Sequence, residues 1–196
     1  MKLHLRWCAV GLMLMAPASN AQKPFTLEQV TSAPFPSELT AAPAKGRVAW
    51  VFNALGRRNL WIAETAADGN YKAKQITSYA DDDGQDLGQL GWTPDAGAIV
   101  FTRGGDLEFL DRPYPNPQSS PQGVQQGVWA VSIESREAKL LGEGHSPSVS
   151  SKGDNVAYLF KGQVWLAKLS GLRNGAASVG SVGFHTNVVL MSSLSM

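Results

Sequence analysis

The sequence predicts an all-β fold built from short antiparallel strands that repeat along the chain. Of its 196 residues, 20 are Gly and 11 are Pro, and so many turn-forming residues indicate many short connections. An apolar fraction of 43% and a charged fraction of 17% are typical of a folded protein. A turn that runs directly into an apolar strand, PDAGAIVF at Pro94–Phe101, occurs in related form at two other places. Together these observations favour a repetitive all-β architecture.

The first 21 residues have the pattern of a signal peptide. Lys2 and Arg6 give a positively charged start, Trp7–Met15 is apolar, and small residues lead up to Ala21, which precedes a cleavage point before Gln22. The apolar run is well short of the roughly 20 residues that span a bilayer. We therefore expect a cleaved signal peptide, no membrane contact after cleavage, and a periplasmic or secreted product.

Removal of this segment changes the charge and the cysteine content. It leaves 15 basic and 16 acidic residues, a net charge of −1, which provides no electrostatic footprint for nucleic acid. The single cysteine, Cys8, leaves with the signal peptide. We expect a mature chain without disulfides that is stabilised by packing alone.

Three octets share one pattern of turn and strand. They read PAKGRVAW from Pro43, PDAGAIVF from Pro94 and SKGDNVAY from Ser151. Pro presets φ and Gly tolerates a positive φ, so the first half of each octet predicts a turn. Alternation of aliphatic, small and aromatic residues in the second half predicts a strand.

A second element with a tryptophan in the same slot follows each octet. The three copies are NLWIAE, GVWAVS and QVWLAK, with Trp61, Trp129 and Trp165 in the shared position. Trp offers a flat face that could bind a ligand, but its constant place in the strands favours packing between repeats. Further short strands are predicted before each octet, from Ser37, Leu87 and Ser146, and near Ile76 and Leu140.

Each unit is therefore predicted to be a four-stranded meander. Equivalent octets are 51 and 57 residues apart, and repeats of about this length are typical of β-propeller blades. We predict a partial β-propeller at 22–169 with blades at about 37–78, 87–142 and 146–169. The extra length of the second unit lies in a Pro, Gly and Gln-rich loop, 103–127, and the Ser/Gly-rich tail at 170–196 departs from the pattern.

The linked motifs resemble a known family. They are ITSYADDDGQDLGQLGWTPDAGAIVFTRGGD, NPQSSPQGVQQGVWAVSI and LLGEGHSPSVSSKGDNVAYLFKGQVWLAKL, within Pro24–Leu169. The chain is similar here to the N-terminal propeller of exported serine peptidases of the prolyl oligopeptidase family, which includes dipeptidyl peptidase IV and acylaminoacyl peptidases. The resemblance implies a propeller that covers the active site of a following α/β-hydrolase domain and limits access to short peptides. TolB-type propellers, which bind partners, share the Pro-Asp-Gly module.

The resemblance implies the propeller portion of such a peptidase, truncated before its catalytic domain and inactive by itself, with a peptide substrate as its partner. The alternative is a TolB-like propeller that binds a protein or peptide. Because the chain has fewer repeats than the four to eight blades of a closed propeller, we also expect self-association through open blade edges.

One segment imitates a serine nucleophile motif. Gly144–Ser148 approaches the Gly-x-Ser-x-Gly pattern but has Ser at the last position, and its place in the repeat predicts the first strand of the third blade. The two histidines after the signal peptide, His145 and His185, lack the close spacing of zinc ligands. We predict no catalytic residue.

Two other polar segments invite a functional interpretation. The acidic run Asp81–Asp86 offers oxygens to Ca²⁺ but lacks the EF-hand spacing, which favours a solvated loop between blades. Arg103–Asp106 opens the long loop and suits either a substrate channel or a surface turn. The sequence therefore predicts no metal and no cofactor.

Overall fold

The computed structural model describes residues 24–108, 115–116, 119–121 and 123–169. The predicted signal peptide at 1–21, the tail at 170–196, Cys8 and His185 lie outside the described residues. The described residues up to Thr31 and those from Ser32 onward belong to two different compact units. Residues 24–31, the described part of the first unit, include a short helix, α1 (Leu27–Thr31), which begins with reciprocal hydrogen bonds between Thr26 and Gln29.

The described strands of the second unit form three antiparallel sheets, each a meander of consecutive strands. The first sheet contains β1 (Phe35–Ala41), β2 (Arg47–Ala54), β3 (Arg57–Thr65) and β4 (Tyr71–Gln75). The second contains β5 (Leu87–Trp92), β6 (Ala98–Arg103), β7 (Gly127–Ser132) and β8 (Ala138–Glu143). The third contains β9 (His145–Val149), β10 (Asn155–Phe160) and β11 (Gln163–Lys168).

The first strands of the three sheets lie side by side, β1 against β5 and β5 against β9. Sheets that each form a meander and meet along their first strands are the blades of a β-propeller. The predicted all-β, partial β-propeller fold is confirmed. No helix in the described ranges is long and apolar enough to cross a membrane.

Each octet forms the turn between the first two strands of its sheet. The third residue of every octet has a left-handed backbone: Lys45 at φ 63°, Ala96 at 52° and Gly153 at 70°. In the second octet the left-handed residue is thus an alanine, one position before the glycine that the turn pattern singles out. The turns also meet across the sheets, since the Arg47 guanidinium donates to the Ala96 carbonyl at 2.8 Å and Gly153 lies against the Pro94 ring.

Alternate residues of each strand face opposite neighbours, and this forms two apolar cores. The first core packs Ala49, Val51, Leu60 and Ile62 of the first sheet against second-sheet residues that include Phe101. The second core lies between the second and third sheets and is formed mainly by the residues Val100, Val128, Ala130, Val156, Tyr158 and Ala167.

The three repeated tryptophans have different surroundings. Trp129 packs against the first core and Trp165 against the second, as packing between repeats requires. Trp61 instead stacks on Trp50, with ring centroids 6.5 Å apart, and meets Phe52 edge-on at 5.5 Å. These three rings lie on the face of the first sheet that points away from the second.

Candidate functional site

A β-bulge interrupts the first strand of every sheet at the same position. The bulged residues Glu38, Gln89 and Ser146 have left-handed φ angles of 58°, 54° and 54°, and the register of each strand shifts there. A left-handed backbone is strained for residues with a side chain, so its repetition at three equivalent positions indicates a structural requirement.

Hydrogen bonds connect the three bulges across the sheets. The backbone N–H of Gln89 donates to Glu38 Oε2 at 2.7 Å, and the backbone N–H of Ser146 donates to Gln89 Oε1 at 2.7 Å. The buried Thr102 hydroxyl donates to the same Gln89 oxygen at 2.8 Å. The side-chain oxygens of the first two bulges therefore each accept a hydrogen bond from the backbone N–H of the next bulge, and these two contacts join the blades along their first strands.

A cleft of about 550 Å³ opens beside the first two bulges, between the first and second sheets. The polar residues that line it include Glu38, Asn53, Arg58, Asp86 and Gln89, and apolar contacts come from residues such as Phe35 and Leu107. Arg58 Nε lies 3.2 Å from Asp86 Oδ1. The Arg58 guanidinium and the carboxylates of Asp86 and Glu38 therefore face the same space. The cleft thus combines charged groups and amides that suit the backbone and termini of a peptide.

The acidic segment that precedes β5 is tied down rather than freely solvated. Asp83 forms an ion pair with Arg103, whose guanidinium also lies over the Tyr79 ring at 4.1 Å from its centroid. Burial raises the pKa of the Tyr79 phenol, with the charges of Arg103 and Asp83 acting in opposite directions. The expectation of a solvated loop is therefore wrong for Asp83 and Asp86, because both carboxylates engage arginines of neighbouring strands.

The segment Arg103–Asp106 packs against that acidic segment. Gly104 N–H donates to the Asp86 carbonyl at 2.9 Å, and Gly105 N–H donates to the buried Gln85 Oε1 at 2.8 Å. Gly104 has a φ of 110°, and a Cβ there would lie 2.4 Å from the Gln125 carbonyl oxygen, so only glycine fits. These contacts favour the interpretation of Arg103–Asp106 as a structural turn.

The serine motif lies where the repeat predicts, since His145 and Ser146 are the first residues of β9. His145 Nδ1 lies 2.9 Å from Ser146 Oγ, and the backbone N–H of Ser146 donates a hydrogen bond to Gln89 Oε1. Gly144 is held by a hydrogen bond to the Gln126 carbonyl, and a Cβ there would meet the Leu159 oxygen at 2.2 Å. This glycine is explained by the close approach of a neighbouring strand, not by a nucleophile elbow.

No group of three or more His, Cys, Asp or Glu side chains within the described ranges is arranged to hold a metal ion.

A second cleft, of about 460 Å³, lies at the opposite end of the strands, beside the octet turns. Arg47 and Lys74 line it and both bind Glu64: Lys74 Nζ lies 2.5 Å from Oε1 and Arg47 Nη2 lies 2.8 Å from Oε2. The hydrogen bond from Lys74, assisted by that from Arg47, holds the pKa of Glu64 below its usual value of 4.5. Glu64, on β3, therefore links β2 and β4 to its own strand through two ion pairs.

We predict that this ion-pair cluster contributes stability above about pH 4.5 and loses it as the pH falls. A carboxyl group whose pKa is lower in the folded chain is bound more weakly by protons there, so acid favours unfolding. Urea unfolding of the parent chain and of Glu64→Gln should differ at about pH 6 and converge towards about pH 3. Glu137→Gln, a change at an exposed carboxylate of the turn between β7 and β8, is the control, and the prediction is wrong if this variant shows the same pH-dependent difference.

Sequence reasoning did not single out Glu38, Gln89 or Asn59. Asn59 is buried; its side chain donates to the Tyr79 carbonyl at 2.9 Å and accepts from Thr77 and from the Tyr79 N–H. A signal for the bulges was present, because Glu38-Leu39 and Gln89-Leu90 occupy equivalent positions before their octets. The third copy has Ser146-Pro147 there, which obscures the pattern.

No family model matches the chain, and no curated protein matches it. Among solved structures, an oligogalacturonate lyase in complex with manganese is 14% identical, with a TM-score of 0.46 over 72% of this chain and 35% of that one. TolB from Acinetobacter baumannii is 15% identical, with a TM-score of 0.46 over 70% of this chain and 31% of that one. A structure from a study of two prolyl endopeptidases is 11% identical, with a TM-score of 0.46 over 71% and 21%. The chain thus spans about a third or less of the length of these structures.

Proposed function

We propose that this chain is the substrate-gating propeller portion of an exported serine peptidase that acts on short peptides, and that it is not catalytic by itself. The proposal joins the resemblance of the linked motifs to prolyl oligopeptidase propellers with the N-terminal signal pattern, which supports export to the periplasm or beyond. The observation that carries it is the cleft between the first two blades, where Glu38, Arg58 and Gln89 face a common space.

The chemistry of this cleft suits an extended peptide. The Glu38 and Asp86 carboxylates can accept hydrogen bonds from a peptide ammonium or backbone N–H, and Arg58 can donate to a carboxylate or carbonyl. The contacts of the cleft residues with each other hold these groups in place before a ligand arrives. Such an arrangement selects and guides a peptide without any step of bond cleavage.

The experiment is equilibrium binding of short fluorescent peptides, with free or acylated N-termini, to the purified chain, with hydrolysis of peptide p-nitroanilides followed in parallel. We expect weak, saturable binding, lost in Arg58→Gln, and no hydrolysis. Arg57→Gln is the matched control, because Arg57 is the preceding residue of the same strand and lines a different cleft.

Three outcomes contradict the proposal. Hydrolysis by the parent chain would show that it is catalytic, and absence of peptide binding would remove the gating role. Equal loss of binding in Arg57→Gln and Arg58→Gln would show that general charge, not the cleft, attracts the peptide.

The TolB-like alternative predicts a different preference. This alternative covers a protein or a peptide partner; if the partner is a folded protein, the propeller would use the rims of several blades and would bind a short peptide no better than free amino acids. Competition of the bound peptide by free amino acids at equal concentration would therefore favour this alternative over the peptidase portion.

A further inference from the structure

The blades of this chain have two chemically different faces. On the forward face, which meets the following blade, the residues are small or aliphatic; on the backward face, which meets the preceding blade, aromatic residues dominate. Cross-strand pairs define each face, since paired residues lie on the same side of a sheet. Forward pairs are Val51 with Leu60, Thr102 with Val128, and Leu159 with Val164.

Burial of the forward face depends on whether a blade follows. The first and second blades bury Leu60 and Val128 completely, at 0% exposure each, against the next blade. The equivalent Val164 of the third blade is 62% exposed, and Leu166 beside it is 54% exposed. The described third blade therefore carries an aliphatic face of the kind that its two predecessors bury.

The backward face shows the reciprocal arrangement. Phe101 of the second blade is fully buried and Tyr158 of the third is nearly so, each against the blade before it. The equivalent Trp50 of the first blade, together with Phe52 and Trp61, is only partly buried and forms a cluster of three rings. The described first blade thus carries an aromatic face whose counterparts are covered.

We propose that two copies of this chain associate head to tail, with the aliphatic face of the third blade of one copy packed on the aromatic face of the first blade of the other. The contact between the first and second blades and the contact between the second and third blades both pair an aliphatic face with an aromatic face in this way. Two such contacts between two copies, each with the three blades that residues 35–168 form, would complete a ring of six, within the four to eight blades of closed propellers. This contact is heterologous, because different surfaces of the two copies meet. The ring closes because each copy provides one aliphatic face and one aromatic face.

The inference is independent of the proposed peptide cleft, since it concerns the outward sheet faces. Exposed apolar faces in water favour association, as burial of apolar surface is the main source of protein–protein affinity. A second copy carries the same two kinds of face that already pack on each other between neighbouring blades of one chain.

The test is the molar mass of the full chain and of two single variants by sedimentation equilibrium. We expect twice the 20.9 kDa of one chain for the parent. Val164→Glu places a charge on the aliphatic face at an exposed site, and Phe52→Glu does so on the aromatic face; each variant alone should be monomeric. Circular dichroism and urea unfolding establish that each variant is folded.

Mixing the two variants separates a head-to-tail contact from a symmetric one. Val164→Glu keeps an intact aromatic face and Phe52→Glu keeps an intact aliphatic face, so an equimolar mixture should form a one-to-one dimer through a single contact. If Phe52→Glu fails to fold, the parent and Val164→Glu still test whether a dimer uses the aliphatic face, and Trp61→Glu, on the same aromatic face, takes the place of Phe52→Glu in the mixture.

Several results would overturn the inference. One is a monomeric parent chain. The two faces would then be exposed to water, covered by residues 170–196 of the same chain, or bound by a different protein, and in none of these cases by a second copy. Another is a dimer that persists in Val164→Glu, since it would not use the aliphatic face. A mass that grows with concentration beyond two copies would show that the ring does not close.

Discussion

Replacement of Phe101 by alanine should lower the free energy of unfolding by about 3–5 kcal/mol. The Phe101 side chain is fully buried in the core between the first and second sheets, where it lies among Val51, Leu60 and Ile62. The change removes a large apolar surface and leaves a cavity that strands of two blades cannot readily close. Because the residue joins two blades, we expect the whole unit to unfold at lower urea concentration, measured by tryptophan fluorescence at constant protein concentration.

Tyr71→Ala is the control for this prediction. It is also an aromatic-to-alanine change in a strand, but Tyr71 lies on β4 and is largely exposed. Its effect should remain below about 1 kcal/mol. Equal losses in both variants would mean that the Phe101 contact between the blades is not a main source of stability.

The second large effect is expected at Gln89. Gln89→Ala removes the acceptor for both the Ser146 N–H and the buried Thr102 hydroxyl, and an unsatisfied buried donor costs about 1–3 kcal/mol. We expect a loss of about 2–3 kcal/mol in urea unfolding, given that the Ser146 N–H is only partly buried. Hydrogen exchange should also show faster exchange of the Ser146 amide.

Gln89→Glu tests the hydrogen-bonding explanation, because a carboxylate oxygen can accept both of the hydrogen bonds that Gln89 Oε1 accepts. It should recover most of the stability and the slow exchange at Ser146, whereas Gln163→Ala, an exposed glutamine on β11, should change neither. If Gln89→Glu is as unstable as Gln89→Ala, the bulge oxygen is not what joins the second and third blades.

Much of the fold was accessible from the sequence because it depends on local chemistry that repeats. The octets from Pro43, Pro94 and Ser151 each contain a turn and an alternating strand, and each forms the hairpin that the pattern predicts. The tryptophan strands follow at the next position of every sheet. A four-stranded meander needs only short-range pairing, so residue periodicity is sufficient to predict it.

The candidate site was much less accessible. Asp83 and Asp86 form an acidic run in the sequence, and only the fold brings Arg103 and Arg58 to them from other strands. Glu38 and Gln89 are 51 residues apart and meet because the first strands of two blades lie side by side. No local pattern encodes such a contact, since it depends on the packing of whole sheets.

The sequence by itself determined the all-β class, the repeat and the place of each turn, because these follow from backbone preferences and alternation within a few residues. Only the tertiary structure decided which equivalent residues differ in role. Phe101 is buried and Trp50 is partly exposed although they occupy the same slot of the repeat. The physical reason is that burial depends on the neighbouring blade, and a repeated sequence does not state which of its faces has a neighbour.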